Sequence, residues 1–544
     1  MPPAESSFHP VDWTVLVAYF AATMGIGFYF YRRTRSVEGY AAANRSLPGW
    51  VCGLSILATY VSSISYLALP GKSFAGNWNA FAFSLSIPIV AIFAVRYFLP
   101  YYRKSGAISA YELLENRFGL WARVFTSSFY LLFHIARIAV VLYLMALPMQ
   151  VIFGWDIHAI LIVTGICVTV YSLAGGLVAV IWTDAIQAIV LMVGAVVCLF
   201  VLLAHAPGGA AGVMEVAAEN EKFSLGSFAL DDFATATFWV IFLFGIADNF
   251  RNFGIDQSYI QRYIASKSDR AARRSLWMGS LLYIPVSALF FFIGTVLFSY
   301  YGATGAATDA PGDLQQVEAI VAKQKLLQEG VSPSDPEFAG QIEAKAAELE
   351  LADLGDRVFP HFIAHSLPPG LTGLLIAAVF AAAMSTVSTS LNSSATLIMN
   401  DYYRRFFNAN APEKKAMRVL YAGTILWGIF GTGLAIFLVE VTQSALDIWW
   451  VLSGIIGGGM TGLFLLGLIN RRAGNTAAVA GLCAGIVVIA WISWPKIASF
   501  MGQEVQPVLH VQMAPVLGVL IILVAGSLIA AFAGTNRSND HENA

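Results

Sequence analysis

The chain has 544 residues, of which 58% are hydrophobic and only 12% are charged. This composition excludes an ordinary soluble domain and predicts an integral membrane protein. A formal net charge of −2 gives no basic surface for a nucleic-acid partner. The four cysteines lie in apolar runs without metal-ligand spacing, so the sequence indicates neither a disulfide framework nor a zinc site.

About thirteen runs are apolar over the roughly 20 residues that a bilayer helix needs. They start near residues 12, 49, 79, 121, 157, 178, 236, 275, 368, 417, 446, 474 and 514. Backbone groups in lipid must satisfy one another, so an all-α fold is predicted. No Lys or Arg precedes the first run, which is therefore not typical of a signal peptide and is expected to stay in the mature chain.

Basic residues concentrate in alternate loops, which the positive-inside rule assigns to the cytoplasm. These loops are 32–45, 103–123, 262–274, 404–418 and 471–472. The N-terminus is then outside, and the C-terminus, with a tail at 536–544, is cytoplasmic. The longest polar segments, 207–234 and 302–364, fall outside.

The 302–364 segment is expected to be a solvated extracellular insertion. Within it, residues 314–354 have the pattern of short amphipathic helices, broken by Gly330, Pro333 and Pro336.

The first polar interruption of the apolar pattern is the stretch 58–66, which is rich in hydroxyl groups and precedes Pro70 and Gly71. It predicts a discontinuous helix whose freed carbonyls bind an ion and whose hydroxyls meet a solute. The alternative is a plain helix packed through its serines. A second polar break is expected at 248–252, and two interrupted helices indicate a binding site between repeats.

Arg137 lies about sixteen residues, or roughly 24 Å of helix rise, into its apolar run. Its guanidinium is always charged and is shaped for bidentate capture of a carboxylate, which favours an anionic substrate. His134, one turn earlier, is expected to be a hydrogen-bonded packing residue.

Asp184 is a carboxylate within the apolar run 178–206. Such a group is costly in a bilayer and usually faces a partner or a wet cavity. The functional interpretation is a ligand for a small hard cation. The structural alternative is an ion pair with Arg137.

The run 371–399 carries the hydroxyls of Ser385, Ser388 and Thr389 at i, i+3 and i+4, so they share one helical face. They can converge on one ion. The alternative is close helix packing, because small residues recur at every fourth position from Ala381 to Ser393.

Seven motifs match a known transporter family: 47–50 (LPGW), 58–65 (ATYVSSIS), 133–137 (FHIAR), 180–187 (VIWTDAIQ), 261–263 (QRY), 380–383 (FAAA) and 388–393 (STSLNS). On these residues the chain resembles the sodium:solute symporter family and, within it, the bacterial sialic acid transporters. The resemblance implies a LeuT-like fold of two inverted five-helix repeats plus extra helices.

The implied organisation is a single transmembrane transporter domain over 10–535. It comprises a leader helix at 11–31, repeats at 49–206 and 236–470, and two C-terminal helices at 473–535.

The resemblance also implies two sodium sites, and hence two co-transported ions per solute. The first uses the carbonyls of Ala58, Val61 and Ala382 with the hydroxyls of Ser385 and Thr386. The second uses Asp184, Ser388 and Thr389.

For the solute, the resemblance implies a carboxylate contact from Arg137, hydroxyl contacts from Ser62 and Ser65, and a sugar contact from Asn249. The chain departs from the sialic acid branch at Tyr60, Ala80 and Ser84, where the branch has a threonine, an aromatic residue and a glutamine. Tyr60 and Ser84 are nevertheless expected to contact the solute. Tyr60 is expected to fill volume that a nine-carbon sugar acid needs. The unusual charges Asp248 and Arg251 are expected to pair with each other at i, i+3.

The predicted function is sodium-coupled import of an organic solute across a bacterial inner membrane by alternating access. A carboxylate such as sialic acid or another sugar acid is expected first, and a small monocarboxylate or a neutral sugar or polyol is the alternative. A passive sodium channel would use the same oxygens but would not need Arg137. Nothing in the sequence forms a nucleophile, base and oxyanion arrangement, so an enzyme is not predicted.

Overall fold

The computed structural model describes residues 8–31, 34–302, 312–441, 445–500, 503 and 505–542. The described chain is helical, with a bridge between Leu47 and Ser266 as its one strand-like pairing. In chain order the helices are α1 (Pro10–Phe30), α2 (Val37–Ala42), α3 (Gly49–Tyr60), α4 (Ser63–Ala75), α5 (Ala82–Phe93), α6 (Leu99–Ser105), α7 (Glu112–Phe118), α8 (Leu120–Phe153), α9 (Ile157–His205), α10 (Gly209–Glu219), α11 (Phe238–Gly254), α12 (Gln257–Ala265), α13 (Asp269–Tyr300), α14 (Leu314–Gln328), α15 (Phe338–Ala347), α16 (Leu351–His365), α17 (Leu371–Leu397), α18 (Glu413–Val441), α19 (Ala445–Ile469), α20 (Asn475–Phe500) and α21 (Met513–Glu542). Short 3₁₀ turns lie at Ala43–Arg45 and Asn79–Phe81, and π-helical turns lie at Ala94–Phe98 and Ile398–Phe407.

Each of the thirteen predicted apolar runs lies in one of these helices. The number of helices that could cross a bilayer as one continuous span is smaller than thirteen. Within the described ranges nine helices are long and apolar enough to cross a bilayer, or ten if the bent pair of α3 and α4 counts as one. The 49-residue segment α9 contains two runs, and it consists of two helices that meet at Gly176. The backbone of Gly176 is non-helical, with φ of +52° and ψ of −154°. A single straight helix of this length would measure about 73 Å, far more than a bilayer core. Helix α11 has only 17 residues, and α19 contributes a shorter apolar helix at Ile456–Ile469.

The helix predicted to be discontinuous is broken between α3 and α4. Val61 and Ser62 are extended, with φ/ψ of −85°/103° and −98°/174°. The axis turns by 54° between Gly49–Tyr60 and Ser65–Ala75. This confirms the predicted break at 58–66, and the alternative of a plain helix is wrong.

The second interruption lies a few residues after the predicted one. Positions 248–252 are inside α11, and the chain leaves the helical conformation at Ile255 and Asp256 instead. The Asp256 carboxylate then caps α12 by accepting a hydrogen bond of 2.9 Å from the Ser258 backbone N–H. Asp248, Arg251 and Asn252 therefore face a cavity from an intact helix.

Helix α17 lies at the centre of the bundle. Every residue from Leu375 to Leu397 is buried, and the helix packs against α1, α8, α9 and α18. The abundance of Ala, Ser and Thr lets these neighbours approach closely. The small-residue stripe and the hydroxyl cluster are thus two properties of the same buried helix.

The 302–364 segment is not simply a solvated loop. Its described part forms α14 and α15, as the pattern predicted, but α16 buries Leu354, Phe359 and Phe362. Helix α16 packs on α4 so closely that a Cβ added at Gly71 would lie 2.5 Å from the Gly355 carbonyl oxygen. The expectation of a solvated insertion is therefore wrong for α16. The sequence does not show this apolar face clearly, because Asp353, Asp356 and Arg357 lie within the same helix.

We expect Gly71→Ala to destabilise the protein by about 1–3 kcal/mol, because the new methyl group meets backbone that cannot rotate away. The measurement is the melting temperature of the purified protein. Gly340→Ala in α15 is the matched control, since nothing lies within 4 Å of a Cβ there. Equal melting temperatures for the two variants would contradict the close α4–α16 contact.

Candidate functional site

A cavity of about 870 Å³ extends outward from the break between α3 and α4. Tyr60, Ser62 and Arg137 line it at the break, and Lys496 and His510 line it further out. Several residues of the segments 234–236 and 505–512 complete its outer wall. The 234–236 side is the one that the charge pattern assigns to the exterior.

Arg137 in α8 points its guanidinium at the broken helix. Its Nη2 donates a hydrogen bond of 3.1 Å to the Thr59 carbonyl oxygen, close to the end of α3. No ion pair of Arg137 is found among the described residues. The guanidinium therefore brings a positive charge to the cavity without a direct carboxylate partner among the described residues, and the buried Asp256 carboxylate interacts with it electrostatically.

The described part of the cavity wall carries more basic than acidic residues. Among the described residues, Lys72, Arg137, Arg251 and Lys496 line the cavity, together with one carboxylate, Asp248. Asp248 is already paired, since its Oδ1 lies 2.8 Å from Arg251 Nη2, which confirms the predicted i, i+3 pair. A low-dielectric cleft with this excess attracts anions.

At the outer end of the cavity, His510 adds no charge at neutral pH. Burial, and then the neighbouring Lys72 ammonium, hold the pKa of the His510 imidazole below its usual value. His510 therefore does not add to the positive charge of the described lining.

Three tyrosine rings narrow the inner end of the cavity. The Tyr60 ring centroid lies 4.6 Å from that of Tyr283 and 5.8 Å from that of Tyr259. The Tyr60 hydroxyl has no hydrogen-bond partner within the described chain. The Tyr60 ring thus occupies part of the cavity at this end, as expected, and its hydroxyl is available to hydrogen-bond a solute.

The predicted serine contacts lie in the cavity wall. Ser62 caps α4, its Oγ accepting a long 3.5 Å hydrogen bond from the Ser65 backbone N–H. Ala80 and Ser84 also line the cavity, but Ser84 is almost fully buried and accepts a 2.9 Å hydrogen bond from Ser287.

Asn249 is not among the residues that line the cavity. Its amide nitrogen donates to Ser86 Oγ at 3.1 Å and to the Gly245 carbonyl at 2.8 Å. The side chain is fully buried toward α5. The structure therefore separates Asn249 from the other predicted solute contacts, and its neighbours Asp248 and Asn252 face the cavity instead.

The residues of the first predicted sodium site meet where α17 crosses the end of α3. Ser385 Oγ lies 3.1 Å from the carbonyl oxygens of both Ala58 and Ala382. Thr386 Oγ1 lies 3.3 Å from the Ala382 carbonyl. Val61 adopts an extended conformation, so its carbonyl leaves the direction of the α3 axis. An all-oxygen set of hydroxyls and carbonyls suits a hard cation.

The residues of the second predicted sodium site also lie together, around the fully buried Asp184. Ser388 Oγ is 3.4 Å from Asp184 Oδ1, and Thr389 Oγ1 is 3.4 Å from Oδ2. The two carboxylate oxygens of Asp184 differ in their other partners. Oδ2 also accepts hydrogen bonds of 2.7 Å from Ser55 and 2.8 Å from Arg262. Oδ1 has only the long Ser388 contact among the described residues and is the less committed oxygen.

Arg262 is the counter-ion of Asp184, so the alternative of a pair with Arg137 is wrong. The Arg262 side chain is fully buried and also donates to Thr389 Oγ1 at 2.6 Å and to the Ser258 carbonyl at 2.5 Å. The sequence places Arg262 at the start of the basic segment 262–274, which predicts a loop position. Asp184 itself indicates that such a partner exists, because a carboxylate within an apolar run requires a cationic or hydrogen-bonding partner.

His134 packs as predicted. It is fully buried, stacks on Tyr130 with ring centroids 3.9 Å apart, and lies 2.9 Å through Nδ1 from Ser390 Oγ. It thereby connects α8, which carries Arg137, to α17.

Comparisons with known proteins agree with this architecture. Residues 40–333 and 337–485 match the Sodium:solute symporter family. The chain belongs to that family: it is a sodium-coupled solute symporter, a multi-pass membrane protein and not an enzyme.

Individual relatives are similar over most of their length. The sodium/sialic acid symporter SiaT of Proteus mirabilis (strain HI4320) is 31% identical over 481 residues, which is 88% of each chain. Sodium-coupled monocarboxylate transporter 2 of Mus musculus is 29% identical over 91% of this chain and 73% of its own. A solved substrate-bound, outward-open sodium-coupled sialic acid symporter superposes with a TM-score of 0.81 at 28% identity, over 96% of this chain and 98% of that one. The fold is accordingly the all-α, LeuT-like fold.

We expect Arg262→Gln to lower stability by about 3–5 kcal/mol, because it leaves the Asp184 charge buried without its counter-ion. The double variant Asp184→Asn/Arg262→Gln should recover most of that loss, since both charges are then gone. Thermal unfolding of the two single variants and the double variant measures the coupling. Additive losses would contradict a direct buried pair.

Proposed function

We propose that this symporter imports an organic carboxylate and that Arg137 is the residue that binds the carboxylate. The observation that carries the proposal is the Arg137 guanidinium at the inner end of the cavity, without a carboxylate partner among the described residues. A bidentate pair with a solute carboxylate would balance its charge. Ser62 and Ser65 would contact the solute from the broken helix, beside Tyr60 and Ser84.

The first candidate for the solute is a sialic acid, which the names of two relatives specify for those proteins, or another sugar acid. A small monocarboxylate is the second candidate, and the tyrosines around Tyr60 favour it because they narrow the inner end. A neutral sugar or polyol is less favoured, since Arg137 would then need an acidic partner of its own.

Two sodium ions would accompany each solute. The first would bind the carbonyls of Ala58, Val61 and Ala382 with the hydroxyls of Ser385 and Thr386. The second would bind Asp184 through Oδ1 with Ser388 and Thr389, beside the Arg262 guanidinium. Moving one charge inward gains about 2.3 kcal/mol per 100 mV of membrane potential, so two ions support strong accumulation even of an anion.

The transport cycle would follow alternating access in a bacterial inner membrane, with the N-terminus outside and the C-terminus in the cytoplasm. Sodium would order the break between α3 and α4, and the solute would then bind beside Arg137. Closure of the outer cavity and opening on the other side would release both. The excess of positive charge along the cavity would raise the local concentration of anions during entry.

We expect Arg137→Gln to weaken binding of the carboxylate solute at least about 30-fold, because the charge is lost while a donor for the Thr59 carbonyl is kept. The measurement is thermal stabilisation of the purified protein in sodium by sialic acids, sugar acids, monocarboxylates and neutral sugars.

The matched control for this experiment is Arg472→Gln, at an exposed arginine that does not line the cavity. Stabilisation of the wild type by neutral sugars alone, or unchanged acid binding in Arg137→Gln, would contradict the proposed role. Either result would leave membership of the family intact.

We expect Ser385→Ala to raise the sodium concentration needed for half-maximal uptake about tenfold, because one hydroxyl ligand is lost. Ser394→Ala is the control on the same helix, since the Ser394 hydroxyl is buried without a hydrogen-bond partner in the described chain. Uptake measured against sodium concentration distinguishes the two variants. The same sodium dependence in both would exclude Ser385 as a ligand.

A further inference from the structure

A second groove lies at the start of α3, at the opposite end of this helix from Ala58 and Val61, whose carbonyls are proposed to bind sodium. It has a volume of about 1080 Å³ and runs between the start of α3 and the first half of α13. Lys267, Arg270 and Arg274 line one part of it, and Trp277, Leu281 and Pro285 line another. The groove therefore combines a basic end with an apolar wall.

The basic end is exposed and its charges are not neutralised. Lys267, Arg270 and Arg274 are exposed, and none of them takes part in an ion pair among the described residues. The acid next to them, Asp269, is paired with Arg103 at 2.5 Å. Three positive charges thus stand together without a counter-ion from this part of the protein.

The apolar wall follows directly from the spacing along α13. Positions 270, 274, 277, 281 and 285 lie on one face of a helix, so the groove changes from basic to apolar along that face. The distance from Arg270 to Pro285 is about 22 Å of helix rise. Trp50 of α3 forms part of the other wall and is 52% exposed. A tryptophan beside cationic residues is typical of a membrane–water interface.

The walls of the groove are held in place by backbone contacts. The Leu47 N–H donates to the Ala265 carbonyl at 3.0 Å, and the Lys267 N–H donates to the Leu47 carbonyl at 2.9 Å. A Cβ added at Gly49 would lie 2.5 Å from the Ala271 carbonyl oxygen, so α3 and α13 touch here. The groove is therefore a built feature of the fold.

We propose that this groove binds an anionic phospholipid from the leaflet that the 262–274 segment faces. The phosphate headgroup lies among Lys267, Arg270 and Arg274, and an acyl chain follows the apolar face of α13 past Trp277 toward Pro285. Basic pockets between membrane helices bind such headgroups, and each Lys or Arg near the surface adds to the attraction. A soluble phosphate would use only the basic end and would leave the apolar wall uncovered.

The position of the groove gives the lipid a route to the transport machinery. The lipid contacts the first turn of α3, and the last turn of the same helix contains Ala58 and borders Val61. Because α3 is only 12 residues long, a ligand that fixes its start also limits the tilt of its end. Anionic lipid therefore stabilises the α3–α13 contact.

The test is a lipid titration of the delipidated, full-length protein, followed by native mass spectrometry and thermal unfolding. Phosphatidylglycerol is the probe, phosphatidylcholine the neutral lipid control, and glycerol phosphate the headgroup without acyl chains. The groove variant is Lys267→Gln/Arg270→Gln/Arg274→Gln. The matched control is Lys414→Gln/Lys415→Gln/Arg418→Gln, which removes the same charge from exposed positions near the start of α18.

We expect phosphatidylglycerol to bind the wild type and the matched control equally, and the groove variant at least tenfold more weakly. A monodisperse elution profile shows that the groove variant is folded. Equal binding of phosphatidylglycerol to the groove variant and the wild type overturns the site. Equal stabilisation by phosphatidylcholine overturns its preference for anions, and equal stabilisation by glycerol phosphate overturns the role of the acyl chain.

Discussion

A backbone carbonyl that leaves its helical hydrogen bond inside a bilayer must find another partner, and the end of α3 is where this protein meets that constraint. Two consecutive carbonyls there are bonded in different directions. The Ala58 carbonyl faces Ser385 of α17 at 3.1 Å, and the Thr59 carbonyl accepts from Arg137 of α8 at 3.1 Å. The proposed cation ligands and the proposed solute ligand therefore hold adjacent peptide groups of one broken helix. Binding at either place changes the environment of the other, which is the physical basis of coupling in our account.

Helix α17 makes this arrangement possible because its faces have different partners. Ser385 meets α3, Ser388 meets Asp184 of α9, and Ser390 meets His134 of α8. The buried Arg262 completes the Asp184 cluster from α12. A helix with larger side chains would hold its neighbours too far apart for these contacts. The small residues of α17 therefore allow close helix packing and also supply the oxygen atoms of the proposed sodium sites.

Hydropathy predicts the long apolar helices, and the hydroxyl-rich stretch after Ala58 predicts the break, because both are local properties of the sequence. Side-chain contacts between residues that are far apart in the sequence cannot be predicted from such local patterns. Arg262 was assigned to a loop because it begins a basic stretch, although its side chain is fully buried. Asn249 was expected at the solute, whereas its position on α11 turns it toward Ser86. Helix α16 was expected in solvent, because the sequence does not show that Gly355 fits against Gly71.

Sodium-coupled import of a carboxylate is tested most directly by charge movement in proteoliposomes that contain the purified protein. With an inward sodium gradient, addition of a carboxylate solute should produce an inward positive current and concentrative uptake, because two sodium ions carry one more charge than a monoanion. Both signals should vanish when potassium replaces sodium. Sodium-driven accumulation of a neutral sugar, with no current or uptake for any acid, would contradict the assignment of Arg137 as the carboxylate anchor.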